Sequence, residues 1–464
     1  MTDMINDQDC RKESPALEFK KYGIAVHFLG RYPDKDRSPN PSPDFSSFER
    51  DLMSYSFRLW PPFSSEVIRI PEDIRYIDIQ FPPELVYTAE GKRKRLICTD
   101  LGSKSQRTRR VEIKASRTDF LSDISVFHLI LCPEPESEES ALNEYDLVKL
   151  VKLWEGGEEA GGASKGETLI DCIKFHFPAI EPVTIRELAG SVFGNVGLSS
   201  PDIRVGTIQL ITEGDGCGNV SDWSSLWKAL HSIHKRPLVD TATSEPALKG
   251  NINKAVLGIA GIFQGLLDFD YIDVSELRDV FGQVNLGTEN LIGIHKGTLL
   301  NIASSDRAYE VIASTIGISP YLIIPHAVLL HNEELLRRAS EAASKADSRK
   351  LKTLEDARRE MHRLLDRDYL PNIFHYPTEK MLYEIGENSR GLTNFREAVH
   401  SRLSEVNSEW EAKTERRRRR AEDMIAGLLL VLSGLQIRDV ISPHLLIPVL
   451  SIVAVIYILF RNRK

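Results

Sequence analysis

The sequence predicts an α/β cytosolic domain followed by a long helical stalk and a C-terminal two-helix transmembrane hairpin. Strand-like runs fill the first two thirds of the chain, charged amphipathic helices follow them, and two apolar segments lie near the C-terminus. A chain of 464 residues can bury more than one sizeable core. We therefore expect a disordered N-terminus (1–20), a cytosolic α/β domain (21–318), a helical stalk (319–420) and a transmembrane hairpin with a basic tail (421–464).

Composition and charge narrow the function classes. The net charge of -8 argues against direct nucleic-acid binding, because nucleic-acid-binding proteins usually carry a basic balance. The five cysteines are scattered and form no CxxC pair, which fits a reduced cytosolic compartment and offers no zinc-site spacing. The first twenty residues contain no apolar core, so we expect no secretory signal peptide.

The α/β domain is predicted from five runs rich in β-branched and aromatic residues. A helix is expected between two of these runs, at about Ala141 to Trp154, and a capping box at Thr184 and Glu187 predicts the start of another. The glycine- and glutamate-rich segment 154–167 has the composition of a flexible linker. The predicted strands are Tyr22–Leu29, Arg75–Phe81, Arg110–Ala115, Ser125–Leu131 and Ile203–Ile211.

The stalk is predicted from three helical segments. Ser319-Pro320 is a typical helix start, a second charged helix covers about Arg349 to Arg367, and the proline-bounded stretch 371–377 breaks the pattern. A third helix starts near Thr378 and meets no proline before Pro443, with Gly386 and Gly391 as candidate interruptions. Apolar residues recur on this helix in steps of three and four, which is typical of coiled-coil packing. They are Leu392, Phe395, Val399, Leu403, Val406 and Trp410.

The hairpin is predicted from two apolar segments. Leu445–Phe460 contains no charge, and with the residues from Ile441 it is long enough to cross about 30 Å of hydrocarbon. The preceding segment, Met424–Ile437, rises only about 21 Å. Basic residues flank both outer ends of the pair, so the positive-inside rule places both chain termini in the cytosol and the hairpin in the cell (inner) membrane. The alternative is one tail-anchoring helix, with the first segment lying in the membrane interface.

The sequence gives no positive support for catalysis, and we expect no enzyme activity. Gly214, Gly216 and Gly218 follow a predicted strand and could cradle a phosphate or a nucleotide, although a plain turn is the favoured interpretation. His231 and His234 could share a metal ion, but no third ligand is near them in sequence, so a packing role is favoured.

The stretches SPYLIIPHAVLLHNEELL and WEAKTERRRRRAEDMIAGLLLVLSGLQI resemble the CorA family of divalent-cation channels. The resemblance implies a homopentamer that transports metal ions, in which the first span lines the pore. At the position of the family's Gly-Met-Asn triplet this chain has Gly434, Leu435 and Gln436, and the Gln amide could contact a hydrated cation. The implied pore-lining residues are Arg420, Met424, Gly427, Val431 and Leu435.

The resemblance implies a CorA-like channel or transporter gated from the cytosolic domain. It implies no bound cofactor, with Mg²⁺ or another divalent cation as the transported or regulatory ion. CorA-like proteins also occur as membrane effectors of type III CRISPR antiviral defence, so a nucleotide second messenger acting on a cytosolic sensor domain is the first alternative. A tail-anchored membrane scaffold without transport is the second. The expected partners are membrane lipid, further copies of the chain and such a nucleotide.

Overall fold

The fold is taken from a computed structural model, which describes part of the chain. The described residues are 17–19, 21–31, 74–78, 96–99, 108–120, 122–133, 142–155, 174–176, 183–193, 203–211, 223–234, 251–266, 269, 272, 274–282, 284–286, 290–295, 297–303, 320–347, 350–374, 377–437, 448 and 451.

The described part of the chain is mostly helical, and two of its helices are much longer than the others. A π-helical segment, Arg363–Asp368, directly follows the seventh helix. The helices are α1 Glu144–Glu155, α2 Ile185–Phe193, α3 Trp223–His234, α4 Asn251–Gln264, α5 Val274–Gly282, α6 Pro320–Ser344, α7 Leu351–His362, α8 Pro377–Ser389 and α9 Leu392–Ile437.

The described strands form one pair, β1 with β7, and one mixed sheet of eleven strands. The order in the sheet is β11-β12-β13-β10-β2-β6-β5-β4-β8-β9, and β3 pairs with β5 outside this path. Only β10 and β13 pair in parallel among the described strands. The strands are β1 Glu18–Phe19, β2 Lys21–Arg31, β3 Ile74–Asp78, β4 Leu96–Thr99, β5 Thr108–Phe120, β6 Ile124–Pro133, β7 Leu142–Asn143, β8 Lys174–His176, β9 Val183–Thr184, β10 Ile203–Ile211, β11 Val284–Leu286, β12 Asn290–His295 and β13 Thr298–Ala303.

The two faces of the sheet differ in character along β2 and β6. Side chains alternate between the faces of a strand, so Val26 and Leu129 share one face while their neighbours His27 and His128 share the other. The first face joins helices α1 to α5 in one buried apolar cluster. The opposite face meets α6, because His326 of that helix contacts His27. The sheet is therefore covered by apolar packing on one side and by a partly polar contact on the other.

Several local predictions are confirmed. The capping box exists, because the Thr184 amide donates to the Glu187 carboxylate at 2.8 Å and the Glu187 amide donates to Thr184 Oγ1 at 3.2 Å. Helix α6 begins at Pro320, as the proline signal predicts. The long C-terminal helical region breaks at Gly391, whose φ of 63° is left-handed, and α9 ends at Ile437.

The chain divides into two compact units. Unit 1 comprises residues 1–336 and 368–396, and unit 2 comprises residues 337–367 and 397–464. Helix α6 begins in unit 1 and ends in unit 2, and α9 also runs from one unit into the other. In unit 2 the apolar residues of α7 and the segment of α9 from Val399 to Val406 contribute buried side chains, and the Arg358 guanidinium lies 4.0 Å over the Trp410 ring.

The predicted fold class is wrong in its sheet and in its membrane-spanning part. An α/β class requires parallel strands joined by crossover helices, whereas nearly all described strand pairs are antiparallel and the described residues are mostly helical. Within the described residues no helix combines the length and the apolar character that a membrane crossing needs. The transmembrane hairpin, the membrane and transmembrane assignment and the inner-membrane location are therefore not supported.

The two segments predicted as membrane spans show why the transmembrane hairpin is not supported. Met424–Ile437 forms only the last turns of α9, and Glu422 and Asp423 directly precede it on the same helix. Its rise of about 21 Å is too short to cross about 30 Å of hydrocarbon. Most of Leu445–Phe460 lies outside the described residues, and only Pro448 and Ser451 are described, both helical and exposed.

Candidate functional site

A cluster of buried polar side chains lies where the sheet meets α6, and we call it the histidine junction. Its members come from distant parts of the chain, and they all belong to unit 1. Four of its members are buried histidines. The histidine junction comprises Thr118, Ser122, His27, His128, His326, His331, Asn332 and Tyr383.

Two of its histidines face each other across adjacent strands. His27 on β2 is the register partner of His128 on β6, and their Nδ1 atoms are 2.7 Å apart. One Nδ1 must donate and the other must accept, because two unprotonated nitrogens would repel at this distance. The second ring nitrogen of His128, Nε2, is 2.9 Å from Thr118 Oγ1. The hydrogen bond between the two Nδ1 atoms therefore makes one histidine the donor and the other the acceptor.

A third histidine approaches this pair from α6. The His326 ring lies edge-on to the His27 ring, with centroids 5.0 Å apart. Burial is the largest cause that lowers the pKa of all three histidines, to about 3 for His27 and well below the usual value for His128 and His326. The Arg390 guanidinium lowers the pKa of His27 and His326 further. The three rings are therefore neutral at physiological pH.

Arg390 is held near the cluster by an ion pair. Its Nε donates to Glu333 Oε2 of α6 at 2.9 Å, and its Nη2 donates to the same oxygen. The side chain of Arg390 is 7% exposed and that of Glu333 is 40% exposed. This pair joins the end of α8 to α6, because Arg390 directly follows Ser389.

A serine, a histidine and an asparagine form a second part of the junction. Ser122 lies in the turn between β5 and β6, and its Oγ is 2.7 Å from His331 Nε2. His331 Nδ1 is 3.2 Å from Asn332 Oδ1, and the Phe120 ring stacks on His331 with centroids 4.1 Å apart. These residue types also form nucleophilic triads. Here Ser122, His331 and Asn332 are all buried, and their contacts join the β5–β6 turn to α6.

Asn332 connects this contact to two further segments. Its Nδ2 donates to the Leu370 carbonyl at 2.6 Å and to the Tyr383 hydroxyl at 2.9 Å, and its Oδ1 accepts the Leu370 amide at 3.1 Å. The Tyr383 hydroxyl donates to the same Leu370 carbonyl at 3.2 Å. Burial is the largest cause that raises the pKa of Tyr383, so the hydroxyl stays protonated. Hydrogen bonds thus run from the β5–β6 turn through α6 to α8.

No family model, curated protein or solved structure matches the chain.

None of the predicted site residues that the structure describes belongs to the histidine junction. Arg420, Met424 and Gly427 lie on α9, where Arg420 and Met424 are exposed. The remaining predicted pore and mouth residues lie in the last helical turns of α9, and their side chains are outside the described part of the chain: Val431, Gly434, Leu435 and Gln436. The predicted phosphate loop, Gly214, Gly216 and Gly218, lies outside the described residues. Within the described residues no group of three or more metal-ligating side chains is arranged to hold a metal ion.

The sequence reasoning missed the histidine junction, although a signal was present. His27 and His128 each interrupt a strongly apolar predicted strand, and a polar residue inside such a strand needs a buried partner. His326 and His331 stand five residues apart in the apolar first half of α6. The sequence does not indicate that these elements meet, because β2 and β6 are about a hundred residues apart and their pairing is not local.

Proposed function

We propose that the protein is a homo-oligomeric coupling protein. In this proposal the C-terminal end of α9 holds copies of the chain together. The histidine junction links the sheet to α6 and α8, and α6 and α9 carry a change in unit 1 into unit 2. A ligand or modification that alters unit 1 would in this way alter assembly.

The exposed apolar side chains at the end of α9 carry this proposal. Met424 is 71% exposed and Leu428 is 63% exposed, and three neighbours on the same helix are about half exposed or more. At about 100° per residue these side chains share one broad face of the helix. Monomeric proteins rarely leave such a continuous apolar face in water. The exposed face comprises Met424, Ile425, Leu428, Leu429 and Leu432.

A second copy of the chain is the occupant that fits this face best. Upstream on α9, Val399, Leu403 and Val406 are buried within the chain. Met424 and Leu428 lie on the same line of the helix at this spacing, beyond the intrachain packing and after the basic positions Lys413, Arg417 and Arg420. A second α9 in parallel register offers an identical apolar segment at the same height, which gives a symmetric assembly.

The resemblance to the CorA family stays a prediction, as does the pentameric number of subunits. Ion transport, the nucleotide-activated membrane effector and the tail-anchored scaffold all depend on a membrane-inserted C-terminus. Because the described residues contain no candidate span, the proposal uses only self-assembly and coupling.

The decisive experiment changes the exposed face and measures mass in solution. We expect the natural chain to run as a multiple of 52.4 kDa in size-exclusion chromatography with light scattering. The variant Leu428→Asp/Leu432→Asp should run as a single chain, because a buried unpaired carboxylate costs several kcal/mol, about enough to abolish a micromolar association. Far-ultraviolet circular dichroism should show that the helices remain.

The matched control is Leu266→Asp. Leu266 is an exposed large apolar residue outside α9, at 44% exposure, so its substitution should leave the mass unchanged. A natural chain that runs as one copy at all concentrations would refute the proposal. So would an unchanged mass for the α9 variant.

A further inference from the structure

Four basic residues form a continuous stripe on α9, just before the exposed apolar face. At about 100° per residue they lie within about 100° of the helix circumference and span about 10 Å of its length. The three arginines are exposed, and Lys413 is half-buried. The basic stripe comprises Lys413, Arg416, Arg417 and Arg420.

The other two arginines of the same run are already neutralised within the helix. Arg418 pairs with Glu422 at 3.0 Å and Arg419 pairs with Glu415 at 2.9 Å. Glu415 and Glu422 lie on the side of α9 opposite to the basic stripe. Within the described part of the chain, no ion pair is formed by the arginines of the stripe. Two acidic residues, Glu409 and Asp423, adjoin its two ends, so the stripe keeps an excess of positive charge.

Self-assembly would bring the basic stripes of different copies together. This inference rests on the proposed function, because the stripe runs in line with Met424 and Leu428 of the assembling face. Packed helices lie about 8–10 Å apart. Screening at physiological ionic strength extends over about 8 Å, so the repulsion between stripes is only partly screened. Counter-charge at this height of the helix bundle would therefore favour assembly.

We propose that the assembled basic stripes bind a small polyphosphate anion and that this binding favours assembly. Arginine guanidinium groups bind phosphate oxygens in a bidentate manner, and several exposed guanidinium groups would converge from neighbouring copies. The stripe is about 10 Å long, which fits a linear triphosphate better than an extended nucleic-acid backbone. The chain's net charge of -8 also disfavours a long polyanion, which would meet acidic surface beyond the stripe. Inorganic tripolyphosphate and nucleoside triphosphates share the required chemistry.

The test measures assembly of the full chain by sedimentation at low ionic strength. Inorganic tripolyphosphate is the probe, and orthophosphate at equal ionic strength is the control anion. Adenosine triphosphate in a separate arm distinguishes a nucleotide from the bare anion. We expect tripolyphosphate to lower the chain concentration at half-assembly by about tenfold, within the usual range of linkage between sites. Orthophosphate should shift it by less than about twofold.

Two double variants that remove the same number of positive charges distinguish the basic stripe from the arginines that are paired within the helix. Arg417→Gln/Arg420→Gln should assemble at a lower chain concentration than the natural chain without added anion and should lose the response to tripolyphosphate. Arg418→Gln/Arg419→Gln removes the same charge from the neutralised positions and should respond as the natural chain does. Glutamine keeps the helix propensity close to that of arginine in both variants.

Each failure has a distinct meaning. An assembled natural chain that ignores tripolyphosphate, or equal responses of the two variants, would overturn the anion site and leave the proposed function standing. Stronger assembly with a single-stranded oligonucleotide than with tripolyphosphate would also overturn it, because the partner would then be nucleic acid. A natural chain that stays a single copy under every condition would refute the proposed function itself.

Discussion

At the residue scale, Asn332 ties α6 to two other segments of unit 1. It is fully buried and forms hydrogen bonds with Leu370 and Tyr383. We expect Asn332→Ala to lower the free energy of unfolding by about 3 kcal/mol, because the Leu370 amide loses its acceptor and the Tyr383 hydroxyl loses one of its hydrogen bonds. Urea denaturation checks this value. The exposed Asn388 on α8 supplies the control, since Asn388→Ala should cost about 0.5 kcal/mol or less.

The buried histidines predict a loss of stability in mild acid. The pKa of His27 is lowered to about 3, and those of His128 and His326 are also lowered, so the folded state keeps all three neutral while the unfolded chain binds protons below about pH 6.5. The contribution of the three neutral histidines to the free energy of unfolding is therefore fully present above about pH 6.5. Below that pH it falls by about 1.4 kcal/mol per pH unit for each histidine. Urea titrations between about pH 5 and pH 7 measure this slope.

A variant assigns that slope to the junction. His27→Gln should reduce the slope by about 1.4 kcal/mol per pH unit, which corresponds to one proton, because one titrating ring is lost. The control substitution is His400→Gln, at a half-buried histidine of α9 outside the junction. If the two variants have equal slopes, the acid sensitivity comes from another part of the chain.

At the element scale, the helices were more predictable than the junction. The start of α6 follows from Pro320 and the break before α9 from Gly391, which are local signals, whereas the other predicted interruption, Gly386, lies inside α8. The strand pairing that opposes His27 and His128 depends on segments distant in sequence, so no local pattern reveals it. The hairpin prediction failed because it treated Met424–Ile437 as a span, although this segment is the short end of a charged helix.

The break before α9 allows a sharp test at one position. Gly391 has a φ of 63°, and a Cβ atom at this position would meet no other atom within 4 Å, so Gly391→Ala changes the backbone energy alone. We expect a loss of about 1 kcal/mol in the free energy of unfolding. Gly427 has the same free space but lies inside α9, so Gly427→Ala should stabilise the helix by about 0.5–1 kcal/mol. Equal effects of the two substitutions would contradict a left-handed break at Gly391.

At the scale of the whole molecule, the proposal requires that unit 1 influences assembly at the end of α9. The physical path is helical, because α6 carries His331 in unit 1 and α9 leads from unit 1 to the exposed apolar face. A change in the hydrogen bonds of the junction should therefore shift the association equilibrium, although it lies far along the chain from that face. Coupling of this kind typically changes an affinity by about 5- to 150-fold.

Ser122→Ala tests this coupling directly. It removes the hydrogen bond to His331 and should shift the chain concentration at half-assembly by about fivefold or more, as sedimentation would measure. Thr184→Ala is the control, because it weakens the α2 capping box in the same unit at a similar cost of about 1 kcal/mol without touching the junction. Its assembly should match that of the natural chain. If both variants shift assembly equally, the effect reflects lost stability of unit 1 and not transmission through the junction. If neither does, the end of α9 assembles independently of the sheet.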